Sequence, residues 1–131
     1  MFLKKTNLKK EALSLIIQGL TTGKELTLTA SGISMQPLII DGDKMVIDKI
    51  NNTPRVGDIV AYYVATERGH QIIVHRVIAV SKNGSVKTQG DNAPEPDPGW
   101  VSPGRIIGKV KKINKQKTGK EFNNGEKISE K

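Results

Sequence analysis

One serine in a turn-forming stretch is the first residue of this chain that could do chemistry. Ser34 lies in the segment Ser31–Leu38, between a glycine and a proline, and follows the alternating run Leu26–Ala30. A serine becomes a useful nucleophile when a neighbouring base takes its proton and backbone N–H groups stabilise the resulting oxyanion. Ser-Gly and Gln-Pro pairs are also ordinary turn chemistry. Ser34 is therefore a candidate nucleophile whose base must come from elsewhere in the chain.

The two histidines are the candidates for that base. His70 falls in an expected hairpin turn, where a solvated histidine is typical. His75 lies in the apolar run Ile72–Val80, and strand alternation places it on one face with Ile73 and Val77. A lone histidine in a strand is commonly structural, so position alone leaves His75 open to either interpretation.

A histidine base works best with a carboxylate that fixes its tautomer and stabilises the imidazolium. Asp91 and Asp97 are the candidates, and both lie in the proline-rich stretch Gly90–Gly104. A loop this long in a small domain is usually functional or disordered. Asx-turn chemistry is the alternative role for both aspartates.

The order and spacing of several motifs resemble the catalytic domain of the signal peptidase I and SOS-repressor group of serine peptidases (S24/S26 type). The resemblance covers Leu26 to Val110, most of the chain. Its motifs are Ser31–Leu38, Gly42-Asp43, Gly57–Val60, Ile73–Ile78, Gly90–Asn92 with Asp97, and Ile107–Val110. Each motif is weak alone, and their order carries the resemblance.

The resemblance implies a role for each candidate. Bacterial signal peptidases and SOS repressors use a Ser–Lys dyad, whereas the archaeal and endoplasmic-reticulum signal peptidases have histidine before an Arg-Val-type pair. This chain has His75-Arg76-Val77 and so resembles the histidine type. In that type the acid follows the Asp of a Gly-Asp-Asn motif by six residues. The resemblance thus implies Asp97 as the orienting acid, with Asp91 as the second choice.

The same resemblance bears on the oxyanion hole. Many signal peptidases carry a serine two residues before the nucleophile, and its hydroxyl donates to the oxyanion. Here that position is Gly32, as in the SOS repressors. The resemblance implies an oxyanion hole built from backbone at Gly32 and Ser34, chiefly the Ser34 N–H. The loss of one donor typically costs about 10²–10³ in rate, so slow turnover is expected.

Composition limits the partners. The formal net charge is +8, but residues 1–24 carry +4, residues 109–131 carry +5, and the middle carries −1. Basic ends are more often solvated than bound to nucleic acid, so we expect no nucleic-acid partner and leave peripheral attraction to an anionic membrane open. No run of about 20 apolar residues is present, which makes a cytoplasmic location the expectation. The absence of cysteine and of zinc-type histidine spacing predicts no metal and no cofactor.

Hydrophobic periodicity predicts a mainly β fold, a curled or barrel-like antiparallel sheet with one N-terminal helix. The helix is expected over Lys4–Leu20, with Asn7 as its N-cap, packed on the sheet. The predicted strands are Glu25–Ala30, Lys44–Ile50, Val56–Val64, Gln71–Ser81, Ser85–Gln89 and Arg105–Ile113. We therefore divide the chain into a helical segment (1–24), a catalytic domain (25–113) and a basic, mobile tail (114–131).

The leading hypothesis is a serine endopeptidase that removes a leader or signal-like peptide from a precursor protein. The substrate would add as an extended strand beside the active-site strand. By resemblance, small residues would precede the cut. One alternative is a non-catalytic peptide-binding module of the same fold. Another is a self-cleaving repressor, which the single helix expected before Ser34 and the histidine in place of lysine both disfavour.

Overall fold

Seven strands and one α-helix make up the part of the chain that the structure describes. The computed structural model describes residues 2–3 and 7–116. Helix α1 spans Lys10–Thr21, and a 3₁₀ turn spans Pro103–Arg105. The strands are β1 (Phe2–Leu3), β2 (Leu26–Ser31), β3 (Lys44–Asp48), β4 (Ile59–Thr66), β5 (Gly69–Val80), β6 (Val86–Gln89) and β7 (Ile106–Asn114).

The described strands form one antiparallel sheet in the order β1-β2-β3-β7-β4-β5-β6. Strand β1 pairs with β5 as well as with β2, so the sheet must curl to bring β2 and β5 to either side of β1. The predicted mainly β fold, a curled antiparallel sheet with one helix, is confirmed.

Apolar clusters cover both faces of this sheet. Successive side chains of a strand point to opposite faces. On β4, Ile59 and Ala61 belong to one cluster, whereas Val60 and Tyr62 belong to the other. His75 on β5 is paired with Val60, so its side chain lies on the face of the second cluster.

The helix begins later than the periodicity predicts. Its N-cap position is Lys9, with extended backbone and no side-chain cap, so the prediction of Asn7 as N-cap is wrong. A tertiary contact explains the difference. Leu8 exchanges two backbone hydrogen bonds with His70, at 2.6 and 2.8 Å, and this pairing keeps the chain extended up to the helix start at Lys10.

The helix covers the sheet with its apolar stripe. Leu13 and Leu20 are buried, and Leu20 joins the first apolar cluster. Within the described residues, no helix has the length and apolar character needed to cross a bilayer.

The ends of the chain differ from the predicted boundaries. Phe2–Leu3 forms β1, where no strand was predicted, and residues 4–6 lie outside the described residues. At the other end, Asn114 is the last residue of β7 rather than the first of the tail. The remainder of the predicted tail, from residue 117 onward, also lies outside the described residues.

A buried carboxylate fixes the loop that follows the turn of Ser34. Asp43 is 0% exposed, and it accepts the N–H groups of Ile40 and Gln116, both at 3.0 Å. The ammonium group of Lys115 also donates to Asp43, and it reaches the carbonyl oxygen of Leu38 at 2.9 Å. Burial alone would raise the pKa of Asp43. The donated hydrogen bonds outweigh burial and hold this pKa below its ordinary value.

We expect Asp43→Asn to lower the free energy of unfolding by about 1–3 kcal/mol at pH 7, because an amide cannot accept all these hydrogen bonds. A carboxylate with a lowered folded-state pKa contributes stability above its unfolded-state pKa and loses it as the pH falls through the folded value. Below about pH 4, the free energy of unfolding of the wild type should therefore fall more steeply with decreasing pH than that of the variant. Urea unfolding at pH 7 and pH 3 measures both effects.

The matched control is Glu67→Gln, which alters an exposed carboxylate in the β4–β5 turn. It should change the unfolding free energy by less than about 0.5 kcal/mol. An Asp43→Asn protein with unchanged stability and unchanged acid sensitivity would contradict this role.

Candidate active site

Ser34 lies on a turn that begins at a glycine directly after β2. Gly32 has a φ of +96°, a conformation that side chains disfavour. Its N–H donates to Asp41 Oδ1 at 3.0 Å. Met35 and Ile39 are both 0% exposed and anchor the far side of the turn in the core. The turn is thus fixed on both sides of Ser34, which is half-buried.

This turn brings Ser34 to His75. The Oγ atom of Ser34 lies 3.1 Å from Nε2 of His75, although the two residues are 41 positions apart. His75 lies in the middle of β5 and is 9% exposed. The candidate nucleophile and the candidate base from the sequence therefore lie within hydrogen-bond distance of each other.

The other ring nitrogen of His75 faces a carboxylate. Its Nδ1 atom lies 2.5 Å from Oδ2 of Asp97. An ionised carboxylate only accepts hydrogen bonds, so this contact assigns the imidazole proton to Nδ1. The lone pair on Nε2 is then directed at the hydroxyl of Ser34. The three side chains form a linear hydrogen-bonded series.

Two hydroxyls that the sequence analysis did not single out hold the carboxylate of Asp97. Thr88 on β6 is buried and donates to Oδ2 at 2.7 Å, and its carbonyl accepts the Asp97 N–H at 2.8 Å. The Tyr62 hydroxyl on β4 lies 3.5 Å from the same oxygen and 3.2 Å from Thr88 Oγ1. Strand register brings these residues together, and no local sequence pattern signals it.

Burial sets the protonation of His75. Removal from water disfavours the imidazolium and lowers the pKa of His75 below its ordinary value of 6.5, while Asp97 acts in the opposite direction. The net lowering leaves His75 neutral at pH 7. A neutral histidine beside a hydroxyl is the form that can accept its proton.

Hydrogen bonds hold the loop after β6 against the turn of Ser34. The Asn92 N–H donates to the carbonyl oxygen of Ser34 at 2.8 Å, and its side-chain amide donates to the Ile33 carbonyl at 3.1 Å. Gly90 has no room for a side chain. A Cβ there would lie 2.6 Å from the Ser34 carbonyl oxygen and 3.3 Å from Nε2 of His75.

Asp91 binds Arg76, whereas Asp97 binds His75. The two carboxylate oxygens of Asp91 accept hydrogen bonds from Nε and Nη2 of Arg76, both at 2.8 Å. Nη1 of Arg76 donates to the Gly57 carbonyl oxygen at 2.9 Å. The hydrogen bond from Arg76 is the main cause that lowers the pKa of Asp91. Of the two candidate acids, Asp97 is therefore the one placed against His75, and Asp91 holds the loop to β5.

The backbone around Ser34 bears on the oxyanion hole that the sequence predicts. The N–H of Gly32 is directed to Asp41, as described above, so it is engaged within the turn. The oxyanion role of the Ser34 N–H, which the resemblance implies, stays a prediction.

His70 is less exposed than the sequence predicts. It is half-buried in β5, and its ring packs edge-on against Tyr63 with centroids 5.9 Å apart. Its Nδ1 atom is buried and has no hydrogen-bond partner within the described residues. Strand β5 extends back to Gly69, which brings His70 into the sheet. His70 lies apart from the Ser34 hydrogen-bond series.

Gly90→Ala tests whether the close approach of the loop sets the position of Ser34. The added methyl group must push Ser34 or His75 away, since it would meet the Ser34 backbone at 2.6 Å. We expect the rate at which a fluorophosphonate labels Ser34 to fall about tenfold to a hundredfold. Mass spectrometry of the intact protein over time measures that rate.

Gly104→Ala is the matched control, because a Cβ there meets nothing within 4 Å. It should label at the wild-type rate. Equal labelling rates for the two alanine variants would show that Gly90 does not position the nucleophile.

No group of three or more His, Cys, Asp or Glu side chains suited to a metal ion occurs in the described part of the chain.

Comparison with known proteins identifies the family of this chain, although no curated protein matches it. A sequence model described as Peptidase S24-like matches residues 4–111. That match spans the turn of Ser34, the strand of His75 and the loop of Asp97, and it indicates a serine-peptidase-type function. The chain belongs to the Peptidase S24-like family.

Proposed function

We propose that this protein is a serine endopeptidase that removes a leader or signal-like peptide from a precursor protein. Ser34 is the nucleophile, His75 the general base and Asp97 the orienting acid. One observation carries the proposal, the series from Ser34 Oγ to His75 Nε2 at 3.1 Å and from His75 Nδ1 to Asp97 Oδ2 at 2.5 Å. These distances meet the geometric requirement for an activated serine.

Acylation begins when Ser34 Oγ attacks the carbonyl carbon of the scissile bond. The hydroxyl proton passes to Nε2 of His75, and Asp97 stabilises the imidazolium that forms. The tetrahedral oxyanion then collapses, the C–N bond breaks, and Nε2 gives its proton to the leaving amine. The products of this step are an ester on Ser34 and a free new N-terminus.

Deacylation repeats the sequence with water. Nε2 of His75 takes a proton from water as its oxygen attacks the ester carbonyl. Collapse of the second intermediate returns that proton to Ser34 Oγ and releases the carboxylic acid. The Ser34 N–H serves as the backbone donor to the oxyanion in both halves. A hole with few donors predicts slow turnover.

Thr88 and Tyr62 support this cycle as positioning residues. Their hydroxyls lie at 2.7 and 3.5 Å from the Asp97 oxygen that faces His75. These contacts fix the orientation of the carboxylate. A carboxylate held in this orientation keeps the His75 proton on Nδ1.

The surface beside Ser34 suits an extended apolar peptide. Ile33 directly precedes Ser34 and is 64% exposed, and Leu38, four residues after Ser34, is 43% exposed. Exposed apolar side chains next to a reactive group are common in binding sites. They support an extended peptide as substrate, and the resemblance supports a leader or signal-like segment with small residues before the cut.

Labelling by a fluorophosphonate tests the proposal. We expect one adduct per chain, mapped to Ser34 by peptide mass spectrometry. Ser34→Ala and His75→Ala should abolish the adduct, because each removes a member of the nucleophile–base pair. Ser14→Ala, at an exposed position of α1, is the control and should label normally. If the wild type stays unlabelled while folded, a non-catalytic peptide-binding module becomes the better account.

The pH dependence of labelling tests the role of Asp97. The rate should rise with pH and level off above the pKa of His75, which burial places below 6.5. Asp97→Asn removes the charge that favours the imidazolium. Its midpoint should move to lower pH, and its plateau rate should fall about a hundredfold or more. An unchanged midpoint and plateau would exclude Asp97 from this role.

A further inference from the structure

A cavity lined mainly by charged side chains lies between strand β7 and the segment that joins β3 to β4. Its volume is about 450 Å³. We call it the basic cavity, because more cations than carboxylates line it. The cations are Lys49, Arg55, Lys109 and Lys111, and the carboxylates are Asp48 and Asp58.

Both carboxylates of the basic cavity already have partners. Asp58 accepts the backbone N–H of Arg55 at 2.9 Å and lies 3.2 Å from Nζ of Lys109. Oδ2 of Asp48 lies 3.9 Å from Nζ of Lys111. These contacts offset two of the four positive charges, so the lining keeps an excess of positive charge.

The excess charge belongs to side chains that are open to solvent. Arg55 and Lys49 are exposed, and neither side chain forms an ion pair within the described residues. The side chains of Lys109 and Lys111 are both 48% exposed, and ion pairs at such positions contribute little and exchange readily. The planar donors of a guanidinium match a carboxylate. The basic cavity can therefore take up further negative charge.

Strand register places the basic cavity near the proposed catalytic residues. His75 pairs with Val60, and Val60 pairs with Lys109, so the three residues form a row across β5, β4 and β7 on one face of the sheet. Two strand spacings separate the Cα atoms of His75 and Lys109 by about 10 Å. The turn at 55–58 also exchanges hydrogen bonds with Val77, two residues after His75.

The arrangement of the cations suits an extended acidic peptide. Lys109 and Lys111 are two residues apart on β7. Residues two apart on a strand are separated by about 6.8 Å, which is also the spacing of alternate side chains in an extended peptide. The described lining contains no aromatic side chain on which a nucleic-acid base could stack. Charge and shape thus favour carboxylates of a peptide over a nucleic acid.

We propose that the basic cavity binds an acidic segment of the precursor protein, next to the segment that is cut. This inference rests on the proposed function and deepens it, because it names a chemical feature of the substrate. An extended chain covers at most about 3.3–3.6 Å per residue, so the acidic residues should lie about four to eight positions from the cut. Their charge would hold the precursor near Ser34 and raise its rate of encounter.

The test measures binding of two fluorescein-labelled peptides to the full chain by fluorescence anisotropy. One peptide alternates Asp with Ser, and its counterpart alternates Asn with Ser. The variant Arg55→Gln with Lys49→Gln should bind the Asp peptide about tenfold more weakly than the wild type, because two charge contacts are lost. Added NaCl should weaken the binding of the Asp peptide to the wild type.

The matched control is Lys10→Gln with Lys82→Gln, which removes the same charge at exposed positions on α1 and in the β5–β6 turn. It should bind the Asp peptide within about twofold of the wild type. Equal losses for the two double variants, or equal binding of the Asp and Asn peptides, would overturn the inference. Tighter binding of a short oligo(dT) through Arg55 and Lys49 would also overturn it, because the cavity would then be a nucleic-acid site.

A second measurement locates the bound peptide without any substitution. A water-soluble carbodiimide couples the carboxylates of the Asp peptide to nearby lysines, and peptide mass spectrometry maps the products. We expect the adducts at Lys49, Lys109 and Lys111. Adducts spread evenly over the lysines of the chain would contradict a defined site.

The outcome is separable from that of the proposed function. The Asp peptide should still bind after a fluorophosphonate has modified Ser34, because the basic cavity does not include Ser34. Labelling of Ser34 without binding of the Asp peptide would overturn this inference alone. Binding of the Asp peptide to a folded chain whose Ser34 never reacts would overturn the proposed function and, with it, the role of the acidic segment as part of a substrate.

Discussion

The hydrogen bond between His75 Nδ1 and Asp97 Oδ2, at 2.5 Å, is the contact on which the rest of the site depends. It fixes the tautomer of a histidine that is 9% exposed, and only that tautomer leaves Nε2 able to accept a proton from Ser34. Burial and the carboxylate act on the pKa of His75 in opposite directions. The balance leaves His75 neutral at pH 7, which is the form that the proposed general base requires.

The sheet supplies the precision that this contact needs. On one edge of β5, His75 lies between the residue that pairs with β1 and the residue that pairs with β6. Strand β6 leads directly into the loop that bears Asp97. The close contact at Gly90, where a Cβ would meet the carbonyl oxygen of Ser34 at 2.6 Å, sets how closely that loop approaches the turn of Ser34. The ion pair between Arg76 and Asp91 then holds the loop to β5. The strand pairings that form the sheet thus also position the side chains of the site.

The sequence could predict the residues that belong to ordered motifs, and it could not predict those that register brings together. Ser34, His75 and Asp97 follow a pattern along the chain, and the structure brings them into one series. Thr88 and Tyr62 carry no such pattern, because their proximity to Asp97 arises from strand pairing. Strand β1 is too short for periodicity to detect, and the late start of α1 and the partial burial of His70 both follow from tertiary pairing.

The central claim is that His75 is a neutral base, protonated on Nδ1 by its contact with Asp97. Nitrogen-15 NMR of the imidazole rings at pH 7 tests it most directly, since the chain has two histidines and His70→Gln assigns the other signal. The account predicts a protonated Nδ1 with a strongly downfield proton and an unprotonated Nε2. A ring protonated on Nε2, or on both nitrogens, would contradict it, because His75 could not then take the proton of Ser34.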